Sequence, residues 1–221
     1  MPTSIFLIRH AAYEHLPSPA GDAASDFGLS QEGRMQAELL AARLRASGEI
    51  KPDAFFSSTL PRAVQTAAYL APVFGLSAVA LGDLCEWESG NDALGEAAFK
   101  SAWKGLAVNA RRTHRFLPGA ETIEEFSHRV QKCLAKIVEA HEGKTATLVV
   151  HGGVIEAAFA YFLEHGIGPY AGGYPAAGHT SLTLWRSSER GEEWVQEFGN
   201  DTFHLRGATR PPVGHFTNTA T

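Results

Sequence analysis

Ala146-Thr147-Leu148-Val149-Val150-His151-Gly152-Gly153 is the stretch that decides the fold. Its first five residues are apolar or β-branched and form the clearest strand in the chain. Two glycines follow the histidine, and the apolar stretch 154–163 then reads as a helix. A buried strand turning straight into a helix is the unit of a parallel sheet covered by helices. The turn has chemical potential as well. Glycines let a backbone approach a ligand, and a helix N-terminus offers free N–H groups and a positive dipole end to an anion. A tight strand-to-helix turn without a ligand would use the same residues.

Working outward, the pattern repeats. Ile5-Phe6-Leu7-Ile8 is a short apolar run ending at Arg9-His10. Ser30 is a good N-cap for a helix carrying Met35, Leu39, Leu40 and Leu44, with Gly48 as its stop. Ala54-Phe55-Phe56 and Ala78-Val79-Ala80-Leu81 are further strands, and residues 60–74 between them form a helix with Pro61 in its first turn. Residues 93–106 and 121–141 read as helices. Ser181-Leu182-Thr183-Leu184-Trp185 and Trp194-Val195-Gln196-Glu197-Phe198 form a hairpin around Glu189-Arg190-Gly191. The fold expected is three-layer α/β/α with a mainly parallel central sheet. Residues 1–205 make one domain, 91–117 a small helical cap inserted over the site, and 206–221 a loosely ordered tail.

Composition narrows the functional classes. A chain of 221 residues with 44% hydrophobic content holds one large domain or one domain with an insertion. Nineteen basic against 24 acidic residues argue against a nucleic-acid-binding surface. Cys85 and Cys133 lack the spacing of a zinc site and cannot form a disulfide framework. The start has no basic region ahead of its apolar run, unlike a signal peptide, and no run approaches a membrane span. A soluble cytoplasmic protein is expected, with neither nucleic acid nor membrane as partner; a homodimer is left open.

In open α/β sheets, ligands bind beyond the carboxyl ends of the strands. Arg9-His10, the loop leading to Arg62, and His151-Gly152-Gly153 all lie at such ends. Arg62 is oddly placed for a cation, since it sits at a helix start where the dipole is unfavourable. A bound anion would offset that, and so would solvent. Two arginines, two histidines and a helix N-terminus together suit a dianion such as a phosphoryl group. A neutral histidine can attack phosphorus and form a covalent intermediate.

The same segments resemble the histidine phosphatase, or phosphoglycerate-mutase-like, superfamily. Leu7-Ile8-Arg9-His10-Ala11 is similar to its Arg-His-Gly signature, and Leu29-Ser30-Gln31-Glu32-Gly33-Arg34-Met35-Gln36-Ala37 to its next helix start. Ser58-Thr59-Leu60-Pro61-Arg62-Ala63, Glu86, Pro118-Gly119-Ala120-Glu121, Val150-His151-Gly152 and His179-Thr180-Ser181-Leu182-Thr183 follow in the family's order. The resemblance runs from about residue 4 to residue 205. It implies that His10 is the nucleophile, that Arg9, Arg62, His151 and Gly152 hold the phosphoryl group, and that Glu86 is the proton donor. It also implies that no metal or other cofactor is required. Without it, Glu86 is one of two carboxylates in a polar loop, and Glu88 is the fallback acid.

Two departures stand out. Ala11 replaces the usual glycine, and Ala12-Tyr13-Glu14-His15 lacks the asparagine that helps bind the phosphoryl group in the family. The run also lacks the mutase Glu-Ser-x-Trp-Asn pattern, so a phosphomonoester hydrolase acting on a small phosphorylated metabolite ranks above a mutase-type phosphoryl transferase. A non-catalytic phospho-ligand-binding relative ranks lowest. Arg111, Arg112, His114 and Arg115 are either a second anion site or a solvated helix end. Residues 17–27 read as a flexible rim. Phe99, Trp103 and Leu106 fall at helical spacing and read as packing residues before substrate contacts.

Overall fold

The computed structural model describes residues 1–16, 25–163, 175–191 and 193–206. Six strands make the central sheet: β1 (Ser4–Arg9), β4 (Ala54–Ser58), β5 (Val79–Leu81), β6 (Thr145–Val150), β7 (Leu182–Ser187) and β8 (Trp194–Asp201). Two more, β2 (Tyr13–Leu16) and β3 (Ser25–Leu29), pair with each other. The sheet order is β5-β4-β6-β1-β7-β8. β5, β4, β6 and β1 run parallel, whereas β7 and β8 are antiparallel, as a hairpin closing the sheet must be.

Alternation along β1 sorts the core into two halves. Ile5 and Leu7 face α5 (Ile123–Ala140) and α6 (Gly152–Phe162), with Phe126, Leu134 and Val154 among their neighbours. Phe6 and Ile8 face α1 (Gln31–Ser47) and α2 (Pro61–Phe74), against Leu40, Leu44, Ala67 and Leu70. This two-sided burial is why the parallel strands read as unbroken apolar runs. The three-layer α/β/α fold is therefore present.

Local signals explain the helix limits. Ser30 accepts from the Gly33 N–H at 3.1 Å, and Gly48 ends α1 at φ 60°. Thr122 and Glu125 close a capping box that starts α5. Some expectations need correcting. The buried face of α1 runs through Gly33, Gln36, Ala37, Leu40, Ala41 and Leu44, so Met35 is exposed and Leu39 half-buried. The helix expected over 93–106 is two helices, α3 (Asn91–Leu94) and α4 (Glu96–Gly105), divided where Gly95 takes φ 77°. Part of the expected rim loop is strand β3. The tail from residue 207 and most of the Gly-rich loop that the sequence places at 166–178 lie outside the described residues.

Candidate active site

β1 and β6 end side by side, with Arg9 opposite Val150. The next residues, His10 and His151, are therefore neighbours, and the His10 N–H donates to the Val150 carbonyl at 2.9 Å. Their ring centroids are 5.0 Å apart, and both rings are buried. Arg62, in the first turn of α2, completes the cluster. Its Nε–H lies 3.2 Å from His10 Nε2 and 3.3 Å from His151 Nδ1.

Hydrogen bonding assigns the tautomers. His10 Nδ1 lies 2.8 Å from the Ala11 carbonyl, which can only accept. The ring proton is therefore on Nδ1, and the Nε2 lone pair faces Arg62. His151 accepts at Nδ1 and donates from Nε2 to Ser58 Oγ at 2.8 Å, while the Ser58 hydroxyl reaches Cys85 Sγ at 3.4 Å. Burial holds His10 well below the ordinary histidine pKa, helped by His151, Arg62 and Arg9. His151 is held well below it in the same way, by burial and then by Arg62 and Arg9. Both rings are thus neutral at physiological pH.

The loop carrying His10 is clamped by residues of the second and third sequence segments. Thr66 Oγ1 accepts from the Ala11 N–H at 3.0 Å, and Gln36 Oε1 accepts from the Ala12 N–H at 2.9 Å. A Cβ on Gly33 would lie 1.7 Å from the Ala12 carbonyl oxygen, so only glycine allows α1 to approach. Ala11 stands where the family has glycine at no strain, because its φ is not positive. Its methyl group is buried with Leu29 and Ala37.

Arg9 is buried, which lowers its pKa, while the nearby Glu86 carboxylate opposes that shift. One of its terminal nitrogens donates to the Ala177 carbonyl, and its buried Nε has no hydrogen-bond partner among the described residues. A Cβ on Gly152 would stand 3.8 Å from that Nε. The unpartnered donor therefore sits beside the first turn of α6, whose own N–H groups lack intrahelical acceptors. An anion fits there. Glu86 lies on the same side of the site. Its carboxylate accepts from the Trp87 N–H at 3.0 Å and the Gly153 N–H at 3.2 Å. Arg129 holds the preceding backbone through the Asp83 and Cys85 carbonyls and grips Glu121 with two bonds of 2.7 Å.

All the expected site residues thus converge: Arg9, His10, Arg62, Glu86, His151 and Gly152. Glu88 does not join them; it is exposed, and its backbone bonds to Glu121. Two residues were missed. Asp26 on β3 accepts from the Arg62 backbone N–H at 3.3 Å and from its Nη1 at 2.8 Å. One carboxylate therefore caps α2 and balances the cation at its start, which is how the chain resolves the odd position of Arg62. The second is His179, whose ring centroid lies 5.5 Å from that of His10.

A sequence model of the histidine phosphatase superfamily (branch 1) matches residues 5–201. The chain belongs to that superfamily. Phosphoglycerate mutase-like protein 4 of Arabidopsis thaliana is 31% identical over 187 residues, covering 81% of this chain and 77% of that protein. A probable phosphoglycerate mutase of Salmonella paratyphi C is 29% identical over 154 residues, 67% of this chain and 69% of the relative. Among solved structures, a mycobacterial glucosyl-3-phosphoglycerate phosphatase superposes with a TM-score of 0.71 at 23% identity, covering 90% of this chain and 99% of the other. A phosphoserine phosphatase from Entamoeba histolytica gives 0.70 at 22% identity over 92% and 99%. These two likenesses establish the fold.

The basic stretch of this superfamily member is engaged in part, with the Arg111 Nε left without a hydrogen-bond partner among the described residues. Arg115 bonds to the Ala120 carbonyl and pairs with Glu125, and the Arg111 guanidinium lies 4.9 Å from the Trp103 ring centroid. Phe99 and Trp103 pack with Trp87 and Phe116 at centroid distances of 4.7 to 6.3 Å, tying α4 to the residue after Glu86. Among the described residues no cluster of histidine, cysteine and carboxylate side chains is arranged to hold a metal ion. Also among them, no helix is long and apolar enough to cross a membrane.

Proposed function

We propose that the protein is a phosphomonoester hydrolase that works through a phosphohistidine on His10, with a small phosphorylated metabolite as substrate. The observation that carries this reading is the His10 ring. It is buried and neutral, its proton is fixed on Nδ1 by the Ala11 carbonyl, and its Nε2 lone pair lies among Arg62, His151 and Arg9. Holding a nucleophile in one tautomer against fixed cations is the preorganisation that phosphoryl transfer needs.

In the first step His10 Nε2 forms a bond to phosphorus as the ester P–O bond breaks. Glu86, protonated, gives its proton to the leaving alcohol oxygen. In the second step the Glu86 carboxylate takes a proton from water. That water's oxygen bonds to phosphorus, the N–P bond breaks, and phosphate leaves. Arg9, Arg62 and the Gly152 N–H at the start of α6 counter the negative charge on the phosphoryl oxygens. His151 Nδ1, an acceptor in the observed tautomer, takes a hydrogen bond from a monoanionic ester. With the tautomer reversed, Nδ1–H donates to a dianion and Nε2 accepts from the Ser58 hydroxyl turned away from Cys85. Residues 91–117 act as the cap that selects the leaving group.

A mutase-type transfer is the second reading, favoured by the names of the curated relatives. The pairing of Arg115 with Glu125 and the Ala120 carbonyl weighs against the open basic pocket that a bisphosphate intermediate would need. Acid quench of the purified protein with an aryl phosphate separates the readings. Hydrolysis is expected to yield free phosphate with a labelled His10 intermediate, and His10→Ala to lose both while keeping the fold. Turnover retained in His10→Ala would refute the assignment. Label accepted from a bisphosphoglycerate but not released to water would indicate the mutase. Phosphate-ester binding without turnover would point to the non-catalytic relative.

A further inference from the structure

Three rings surround His10. Tyr13 meets it edge-on at 5.4 Å between centroids, His151 lies at 5.0 Å and His179 at 5.5 Å. Two of the three are otherwise engaged: His151 with Ser58 and Arg62, and Tyr13 under the Arg62 guanidinium at 4.6 Å. The His179 ring nitrogens make no hydrogen bond among the described residues.

Its position is imposed by the backbone. β7 pairs antiparallel with β1 in the register Ile8 opposite Leu182, so the residues entering β7 arrive beside those leaving β1. The Thr180 N–H donates to the Arg9 carbonyl at 3.0 Å, and the Arg9 N–H donates to the Ser181 carbonyl at 3.2 Å. Thr180 takes φ 55°, a left-handed conformation that a β-branched residue adopts rarely. It is fully buried, and its hydroxyl bonds His204 Nε2 at 2.9 Å. Strain of this kind persists only where surrounding contacts over-determine it, and it gathers at functional sites. Here the strained turn brings the His179 ring against that of His10, tilted by 48° at 5.5 Å between centroids.

We propose that His179 is a substrate-binding residue of the phosphoryl site, donating an imidazole N–H to a phosphoryl oxygen and serving the role left open by the family's missing asparagine. The proposal rests on the phosphatase reading above. A phosphorus atom in attack position about 3 Å from His10 Nε2 carries oxygens within reach of side chains that border the His10 ring, and His179 is one of them. Burial, and then Arg9 and Arg62, push the His179 pKa down to about 4. The ring is therefore a neutral donor. It adds a hydrogen bond without a third cation, as an asparagine amide would.

The test compares wild type, His179→Ala and His179→Asn. It measures inorganic phosphate binding by calorimetry, kcat/KM with an aryl phosphate, and Tm. A hydrogen bond to a charged group predicts a loss of about 10- to 100-fold in both phosphate affinity and kcat/KM for the alanine variant. His179→Asn is expected to recover most of both, with Tm close to wild type throughout. Phosphate affinity of His179→Ala equal to wild type would overturn the proposal. So would equal losses in both variants together with a lowered Tm, which would mark a structural role. Wild type that neither binds phosphate nor hydrolyses the ester would instead overturn the phosphatase reading.

Discussion

Gly153→Ala isolates the placement of Glu86 from the rest of the fold. A Cβ at this position would lie 2.3 Å from Glu86 Oε1 and 3.2 Å from Phe126 Cζ. Against an ordinary contact of 3.4 Å, the carboxylate must retreat by about an ångström, while the phenyl ring gives by only a few tenths. Misplacing a reacting group by about 1 Å costs on the order of 100-fold in rate. The stability cost is small by comparison. Overpacking against Phe126 costs about 1–3 kcal/mol, and alanine's helix preference over glycine returns up to about 1 kcal/mol. Net destabilisation of about 1 kcal/mol moves Tm by about 2–4 °C for a chain of this size.

The loss should also depend on the leaving group, because the proposed mechanism has Glu86 protonate the departing oxygen. An alkoxide needs that proton; a nitrophenolate, stable as an anion, barely does. Quench-flow measurement of the phosphorylation step should therefore show Gly153→Ala losing about 100-fold on an alkyl phosphate and much less on a nitrophenyl phosphate. Dephosphorylation, which uses Glu86 as base, should slow equally for both esters. A phosphorylation rate on the alkyl ester equal to wild type would refute the role given to Glu86. A uniform loss with Tm lowered by tens of degrees would instead mean that the glycine serves packing alone.

Other perturbations test the electrostatics. Asp26→Ala leaves Arg62 without its partner at the start of α2, and losing one half of a buried pair costs about 3 kcal/mol. Tm is expected to fall by about 6–12 °C, and inorganic phosphate should restore more of it than it adds to wild type, since the anion replaces the carboxylate. A Tm matching wild type would refute the Asp26 role. His10 has its pKa pushed well below 6.5, so its nucleophilic neutral form should survive into acid, and the acidic limb of kcat/KM assigned to it should lie below pH 6.5. A limb at or above pH 6.5 that vanished in no other variant would contradict this. Stability should move the same way for a linked reason. His10, His151, His179 and His204 all have folded pKa values below the unfolded value of about 6.5. As pH falls below 6.5 the unfolded chain therefore binds more protons than the folded one, and stability is lost. Urea midpoints that stayed level from pH 7 to pH 5 would contradict that.

Residues at the carboxyl ends of parallel strands were legible because the sheet itself positions them. Arg9, His10 and His151 follow apolar runs buried on both faces, and strand-end chemistry is a rule of such sheets. Arg62 was legible as an anomaly, a cation at a helix start. Asp26, the residue that removes the anomaly, was not. It lies on a short strand whose one partner among the described residues is β2, in a stretch too polar and too short for alternation to declare it. His179 was hidden for a different reason. Its motif reads as the entrance to a strand, and only the antiparallel register of β7 against β1 turns that entrance toward His10. Long-range pairing of that kind leaves no local mark. A useful signal did exist: a hairpin closing a parallel sheet brings the start of its first strand to the same edge as the strand-end histidines.

The charge inventory explains why so many parts of the chain hold this one site. Arg62 is buried with the half-buried Arg9 close enough to repel it, and Asp26 pairs directly with Arg62. Two cations held this close with little solvent repel each other, and Glu86 beside Arg9 and Asp26 on Arg62 offset part of that cost. Thr66 and Gln36 clamp the His10 loop, Arg129 and Glu121 fix the backbone leading to Glu86, and Thr180 accepts a strained turn. None of these groups needs to touch substrate. They keep the cations and neutral imidazoles aimed at one point. On the phosphatase reading, a phosphoryl group bound there brings negative charge to that point, and the repulsion held in check by the scaffold becomes attraction available to the transition state.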